Sequence, residues 1–522
     1  MADFAIDAIA ELGLNKDTTD YRLKPEEWTD LLNVRPVSNR LARLKGHEST
    51  FGTPPVAPAH WFPVVTGAAH WWIWMSLAKA YVWDGSNHTN LTPASGDFTT
   101  GIAADWQATM LGGIPIINNG VQAPHFWDFN LANDFEEVTN WPSGMVAKVV
   151  RALGNFIFYG NVTDGGQRRP HRVGWSHPAA PGTLPTSYDP FDTTKDTGEF
   201  DLTDMEAGEI LEMLPLKGRM FVYKESATHV LRFVGGQNIW AREDFLVTSG
   251  ILAPRCAGVT GDGQLHFVVT QDNILVHDGA RATELLDRRL KRWLFNNIDP
   301  VNFATSFVFT NPRFKEMWFC YPEPGASRPT RALVWNYELG LPGRFYEADV
   351  PYTWGSSGTL EIAGTDQWNT ISGTWDQQTA VWSEVQRRRT IVGSEPNSKF
   401  YLLDEGLTRD GSTFTARAQR TGLAVEGQTK DGEPIVDFKS KKLSTRCWIR
   451  ASGDPFNFRI GSQQMVPGPV TFGDFLPFNP PTDMWVDYTI EGRGLSIEFS
   501  STEPGDWELS GYTLEVFPTG NF

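Results

Sequence analysis

Ser176 and His177 place a nucleophile directly beside a base in this chain. Neighbouring residues of a strand point to opposite faces, so the two side chains cannot meet if the segment is a strand. No nucleophile elbow surrounds the serine. The pattern therefore predicts structural roles for both residues and no catalytic residue among them.

An acidic segment contains Asp196, Glu199, Asp201 and Asp204. The spacing of these carboxylates matches no calcium loop, which leaves at most weak Ca²⁺ binding. A glycosidase needs two carboxylates that face each other across a cleft, and the sequence alone does not show whether such a pair exists. No Gly-rich phosphate loop occurs.

Three histidines, His229, His266 and His277, lie in or beside predicted strands and could cluster in the fold. Histidines at such positions are more often core or surface residues with satisfied hydrogen bonds than metal ligands, so no metal site is predicted. The cysteines are few, far apart and without metal-ligand spacing, which predicts buried free thiols and no cofactor. They are Cys256, Cys320 and Cys447.

The unit that organises the chain is a pair of short aromatic strands, at 70–74 and 80–83, followed by the turn Asp84-Gly85. Aromatic and β-branched residues suit a half-buried sheet, and Asp-Gly supplies the backbone of a tight turn. Similar segments recur at intervals of roughly 45 to 60 residues, which is the mark of a propeller-like array. They are 155–160 with 172–176, 219–224 with 229–233, 265–269 with 273–279, 315–321 with 332–337, and 399–406.

The sequence thus predicts a mainly β protein with a β-propeller-like array at 51–406, in which about six to eight blades begin near residue 64. A long, Pro-rich loop at 177–212 interrupts the array. Three tryptophans at seven-residue spacing in 363–385 are interpreted as the core of one blade. The predicted inward-facing core residues are Trp72, Trp83, Phe158, Val222, Phe267, Val276, Trp318 and Val334.

The two ends of the chain differ from the array. Residues 1–50 predict an N-terminal arm, with a short helix at 4–12 and a basic hairpin at 32–44. Such a hairpin is usually a solvated edge, and docking on an acidic partner is the alternative. Period-2 alternation at 407–522 predicts a C-terminal antiparallel, β-sandwich-like domain, one strand of which could instead complete a blade.

Composition limits the function classes. The 522 residues are 40% hydrophobic and 13% aromatic, enough for a sizeable core. The net charge of −17 argues against a scaffold that clamps nucleic acid through phosphate contacts. No apolar run reaches the roughly 20 residues that span a bilayer, and the start lacks a basic n-region, so neither a membrane anchor nor a signal peptide is expected.

Five segments, in this order, resemble the tail proteins of short-tailed bacteriophages known as tail tubular protein B, nozzle, hub or packaged-DNA stabilisation protein. The likeness covers most of the chain, although each motif is short. The segments are Leu-Lys-Pro-Glu-Glu-Trp-Thr-Asp at 23–30 with 33–35 and 44–47, Tyr-Val-Trp-Asp-Gly at 81–85 with 91–92, Val-Gly-Trp-Ser at 173–176 with 188–190, Tyr-Leu-Leu-Asp-Glu-Gly at 401–406, and Trp-Glu-Leu-Ser-Gly-Tyr at 507–512.

This resemblance implies a non-enzymatic propeller subunit of the tail nozzle, six copies of which form a ring below the portal and adaptor. The ring would contact the portal-proximal adaptor ring and tail fibre or needle proteins. It would retain packaged DNA and let it pass through the lumen without specific binding, in a virion assembled in the bacterial host cytoplasm. The alternatives are a tail-associated propeller enzyme and a lectin, both acting on host surface glycans.

Overall fold

The computed structural model is almost entirely β-sheet, and seven sets of four antiparallel strands form the blades of a propeller. It describes residues 2–66, 69–203, 208–236, 238–338, 340, 344–360, 388–428, 434–437 and 439–520. The blades, from the inner strand outwards, are: blade 1, His60–Thr66, Ala69–Met75, Ala80–Trp83 and His88–Asn90; blade 2, Gln107–Leu111, Ile114–Asn118, His125–Phe126 and Glu136–Glu137; blade 3, Val146–Leu153, Phe156–Asp164, Gln167–Trp175 and Gly198–Asp201; blade 4, Ile210–Leu216, Arg219–Lys224, Thr228–Phe233 and Trp240–Leu246; blade 5, Ala257–Val259, His266–Val269, Ile274–His277 and Ala282–Glu284; blade 6, Phe307–Asn311, Glu316–Tyr321, Arg331–Asn336 and Arg344–Asp349; and blade 7, Trp354–Thr359, Arg388–Ser394, Lys399–Leu403 and His47–Thr50.

The propeller closes between blade 7 and blade 1, whose inner strands pack against each other. The Trp354 indole N–H donates to the Trp61 carbonyl at 3.0 Å. The fourth strand of blade 7 is His47–Thr50, antiparallel to Lys399–Leu403. Residues that the sequence placed in the arm therefore complete the last blade, and no strand of the C-terminal domain does so. Pairing the two ends of the array holds the ring shut.

The predicted propeller core is confirmed at seven of its eight positions, all of which are buried. Trp83 is the exception, because it is partly exposed at the end of the third strand of blade 1. Its ring stacks on Phe51 with centroids 5.3 Å apart. Period-2 alternation gave the correct strand but could not show that Trp83 is partly exposed.

The C-terminal domain is a sandwich of two sheets that also takes in the N-terminal arm. Trp28, Phe499 and Tyr512 pack between these sheets, with ring centroids 5.6 to 6.3 Å apart. One sheet contains Ala2–Ile6, Val34–Val37, Arg40–Arg43, Trp507–Gly520, Lys441–Gly453 and Trp485–Gly492. The other extends blade 6 through Asp30–Leu32, Ala416–Leu423, Gly494–Ser501, Phe456–Gln463, Thr471–Phe472 and Leu476–Phe478.

The arm is thus part of the sandwich, and Asp30–Leu32 joins the sandwich to the propeller in one continuous sheet. The helix expected at 4–12 is wrong, because Ala2–Ile6 is a strand paired with the last strand of the chain. The remaining short elements are the strand pairs Gly13–Leu14 with Glu27–Trp28 and Val425–Gln428 with Pro434–Val436, the 3₁₀ turns Asp20–Arg22, Ala103–Asp105 and Phe303–Thr305, and the α-helix Lys291–Asn296.

The basic hairpin is not a solvated edge, because two of its arginines are buried, each with 3% exposure. Arg35 donates to Glu316 at 2.6 Å and to Asp404 at 2.9 Å. Arg43 donates to the carbonyl of Gly505 at 3.0 Å. The acidic groups that Arg35 meets belong to this chain itself and are too far away in sequence to be foreseen.

The long loop lies mainly between the third and fourth strands of blade 3, since residues 198–201 return to the sheet. The Trp-rich segment 363–385 lies outside the described residues. Among the described residues, none of the helices is long and apolar enough to cross a membrane.

Candidate functional site

A cavity of about 260 Å³ lies on the propeller axis, where the inner strands of the blades converge. Its walls combine tryptophan and aliphatic side chains with a few polar ones. The titratable side chains that line it are His60 of blade 1, Arg151 of blade 3, Glu212 of blade 4 and Arg255, two residues before blade 5. The fold therefore brings four distant segments to one small site.

Glu212 is held by an ion pair. Its carboxylate lies 2.8 Å from a guanidinium nitrogen of Arg151 and also accepts the backbone N–H of Met213 at 2.9 Å. Arg151 donates in addition to the carbonyls of Met213 and Ala108. Of the described residues that line the cavity, Glu212 is the single carboxylate. The acid–base carboxylate pair of a glycosidase is therefore not assembled there.

Arg255 and His60 both contact the indole of Trp354. The His60 ring stacks on this indole with centroids 4.4 Å apart, and the Arg255 guanidinium lies 4.9 Å from its centroid. Burial, and then the positive charges of Arg255 and Arg151, hold the pKa of His60 well below its usual range. Burial lowers the pKa of Arg255 to about 10, so Arg255 remains charged at neutral pH. The cavity thus contains a neutral imidazole and an excess of positive charge.

Ser176 and His177 do not form a dyad. The Ser176 hydroxyl is buried, donates to the His177 carbonyl at 3.0 Å and accepts the backbone N–H of Ile157 at 3.0 Å. The His177 Nδ1 accepts the backbone N–H of Asp196 at 3.1 Å. Both residues fix the start of the long loop.

Two of the three histidines come together. His266 and His277 are cross-strand neighbours in blade 5, and the Tyr223 hydroxyl of blade 4 lies 2.7 Å from a ring nitrogen of each. His229 lies apart and contacts Asp244 at 2.9 Å. The buried trio of Tyr223, His266 and His277 thus links blades 4 and 5.

The remaining candidates are also engaged in structure. Glu199 and Asp201 both pair with Arg172, at 2.6 and 2.8 Å. Asp204 lies outside the described residues. The three cysteines are free and buried, as predicted. Within the described part of the chain, no three His, Cys, Asp or Glu side chains converge in a way that could hold a metal ion.

Acid should destabilise the protein through this histidine pair. Burial lowers the pKa of His266 to about 4, and burial together with His266 lowers that of His277 to about 3. Because the unfolded chain takes up these protons near pH 6.5, folding stability falls below that pH until the folded-state pKa values are reached. We expect a loss of about 1 kcal/mol per histidine between pH 6.5 and 5.5.

Urea denaturation of the wild type and of His277→Asn across this range measures the effect. The variant should show the shallower pH dependence. Equal slopes for the two proteins would contradict the assignment of the pH dependence to this pair.

No motif in the sequence links the axial residues as a group. Glu212 interrupts the otherwise apolar inner strand 210–216, and Arg151 lies with Lys148 in the largely apolar inner strand 146–153. These charged residues were the available signal. Arg255 carries no comparable mark. Since the four side chains come from four segments, only the propeller geometry reveals that they meet.

No protein-family model and no curated protein sequence matches this chain. Among solved structures, the extracellular domain of the putative hybrid two-component system BT4673 from B. thetaiotaomicron aligns with a TM-score of 0.38 at 8% identity, over 69% of this chain and 39% of that one. PorZ of Porphyromonas gingivalis, a surface component of the type-IX secretion system, aligns with a TM-score of 0.35 at 10% identity. The alignment covers 84% of this chain and 46% of that one.

The WD40 β-propeller domain of Doa1 gives a TM-score of 0.37 at 8% identity, over 70% of this chain and 97% of that one. The chain spans less than half the length of the BT4673 and PorZ structures. Similarities at this level say nothing about the activity of the present chain.

Proposed function

We propose that the chain is a non-catalytic structural subunit of a bacteriophage tail nozzle, which forms a hexameric ring, retains packaged DNA and conducts it during ejection. The ordered motifs that resemble the nozzle family are the first support. The observation that carries the non-catalytic part is the axial cavity, where the inner strands of the blades converge and the Glu212 carboxylate is paired with Arg151.

The DNA path in this proposal is the lumen of the ring and not the axis of one propeller. The cavity on the axis of the propeller has a volume of about 260 Å³, which is far too small for duplex DNA. Each subunit carries a net charge of −17, and six copies would sum this acidity around the ring axis. A narrow channel focuses such a field, so DNA phosphates would be repelled and slide without adhering.

The purified protein tests both parts of the proposal. We expect size-exclusion chromatography with light scattering, or negative-stain micrographs, to show hexameric rings, alone or after addition of the adaptor ring. Titration with duplex DNA at low salt should show no micromolar binding. Tight binding that weakens as salt rises would contradict the conduit, and cleavage of a host glycan would contradict the non-catalytic role.

A glycan-binding role is the second candidate, favoured by an exposed aromatic pair on the sandwich. Trp448 and Trp485 face each other across neighbouring strands with centroids 4.8 Å apart, and Arg446 lies over both rings. A groove of about 450 Å³ lies beside Trp448. Exposed apolar patches of this kind mark ligand or partner sites. Binding of host polysaccharide that Trp485→Ala abolishes would favour the lectin over the nozzle.

A further inference from the structure

The positive charges of the axial cavity are not balanced by its own side chains. Arg151 has Glu212 as a partner at 2.8 Å, whereas Arg255 forms no ion pair within the described part of the chain. Asp105 and Glu212 act on Arg255 only through space. The Asp105 carboxylate already accepts the backbone N–H of Ile102 at 3.1 Å. One cationic group at the axis therefore lacks a counter-charge.

The hydrogen-bond donors of the Arg255 guanidinium are also incompletely satisfied. The residue is only 5% exposed, and its Nε–H has no acceptor among the described residues. One terminal nitrogen reaches the Ala103 carbonyl at a long 3.4 Å. A guanidinium has five N–H donors, and burying it without partners is costly. The backbone of Arg255 has φ of +65°, a conformation that residues with a side chain rarely adopt and that recurs at ligand sites.

His60 supplies a second unpartnered polar atom in the same cavity. It is 6% exposed, and its Nδ1 has no hydrogen-bond partner among the described residues. Its ring and the Arg255 guanidinium both contact Trp354 and both line this cavity, so a ligand in the cavity can reach both. A neutral imidazole can carry its proton on either nitrogen and so can donate one hydrogen bond to an anionic oxygen.

We propose that the axial cavity binds one small oxyanion with the chemistry of phosphate, sulfate or a carboxylate, held by the Arg255 guanidinium and the His60 imidazole. Arg151 contributes a second positive charge and stays paired with Glu212. The cavity of about 260 Å³ is smaller than the pockets that hold drug-sized ligands, which suits an ion with a few waters. The bound ion would join blade 1 to the connection that precedes blade 5, and this proposal is independent of the nozzle assignment.

Thermal unfolding and calorimetry of the full chain test this site. In zwitterionic buffer of constant ionic strength, inorganic phosphate, sulfate and acetate are titrated separately, which distinguishes the phosphate class from carboxylates. We expect at least one of them to raise the Tm of the wild type saturably, by about 2–5 °C.

The variants Arg255→Met and Arg281→Met provide the comparison. Arg281 is exposed, in the turn before the last strand of blade 5, and Arg281→Met should respond as the wild type does. Arg255→Met should lose the shift. Without added anion its Tm should equal or exceed that of the wild type, because an unpaired buried charge has been replaced by an apolar side chain of similar size.

The titration of the wild type tests whether the cavity binds an anion even if Arg255→Met fails to fold. Absence of saturable heat and of a Tm shift with all three anions overturns the proposal. Equal shifts in the wild type, Arg281→Met and Arg255→Met would show a general salt effect and overturn it as well. His60→Gln, which keeps a polar side chain but moves the nitrogen, should bind the same anion at least several-fold more weakly.

Discussion

Arg35→Ala should lower the free energy of unfolding by about 3–5 kcal/mol, because it leaves two carboxylates buried without their counter-charge. Glu316 is fully buried and Asp404 is 1% exposed. Burial raises the pKa of Glu316, and the Arg35 charge opposes that rise. Without Arg35, Glu316 must take up a proton or remain charged in the core, and either outcome weakens the contact between blade 6 and the end of blade 7.

Urea denaturation of the wild type, Arg35→Ala and Arg40→Ala measures this effect. Arg40 lies in the same hairpin, but its side chain is 59% exposed and pairs with Glu508 at the surface. Such a pair contributes about 0–1 kcal/mol, so Arg40→Ala is the matched control. Glu316→Gln and the double variant Arg35→Ala/Glu316→Gln complete a mutant cycle, in which the double variant should lose less stability than the two single variants added together. Similar losses for Arg35→Ala and Arg40→Ala would show that the buried cluster contributes little.

The cluster of Arg35, Glu316 and Asp404 could not be predicted from the sequence, whereas most of the blades could. Strand pairs were visible for five of the seven blades, and one strand at 399–406 for blade 7, because period-2 alternation is a local signal. Blade 2 was missed, since its outer strands, His125–Phe126 and Glu136–Glu137, have only two residues each and no period to detect. The closing strand His47–Thr50 and the buried Arg35 both depend on partners more than 250 residues away.

The axial site was hidden from the sequence for the same reason. The sequence correctly predicted structural roles for Ser176 and the three cysteines, and it foresaw that His266 and His277 could cluster. It could not foresee that His60, Arg151 and Arg255 surround one cavity, because each belongs to a different blade or connection. In a propeller, residues of the inner strands of different blades meet at the axis. No short sequence motif shows which residues these are.

Trp61→Ala should cost about 3–5 kcal/mol of unfolding free energy, because it removes a buried aromatic from the closure of the ring. Trp61 is completely buried, packs edge-on against Phe400 with centroids 5.1 Å apart, and donates to the Ile391 carbonyl at 3.1 Å. Gly393 allows this close approach, since a Cβ there would lie 2.5 Å from the indole. Gly393→Ala should therefore destabilise the same contact by overpacking.

Trp83→Ala is the control, because Trp83 belongs to the same aromatic cluster between blades 7 and 1 but is partly exposed. Its removal should cost about 1–2 kcal/mol, since less apolar surface is lost and solvent can fill the space. Urea denaturation of the three variants, with the denaturant slope compared with the wild type, separates lost stability from a change in compactness. If Trp61→Ala costs no more than Trp83→Ala, the ring is held shut mainly by the strand pairing of His47–Thr50 and not by the Trp61 contact.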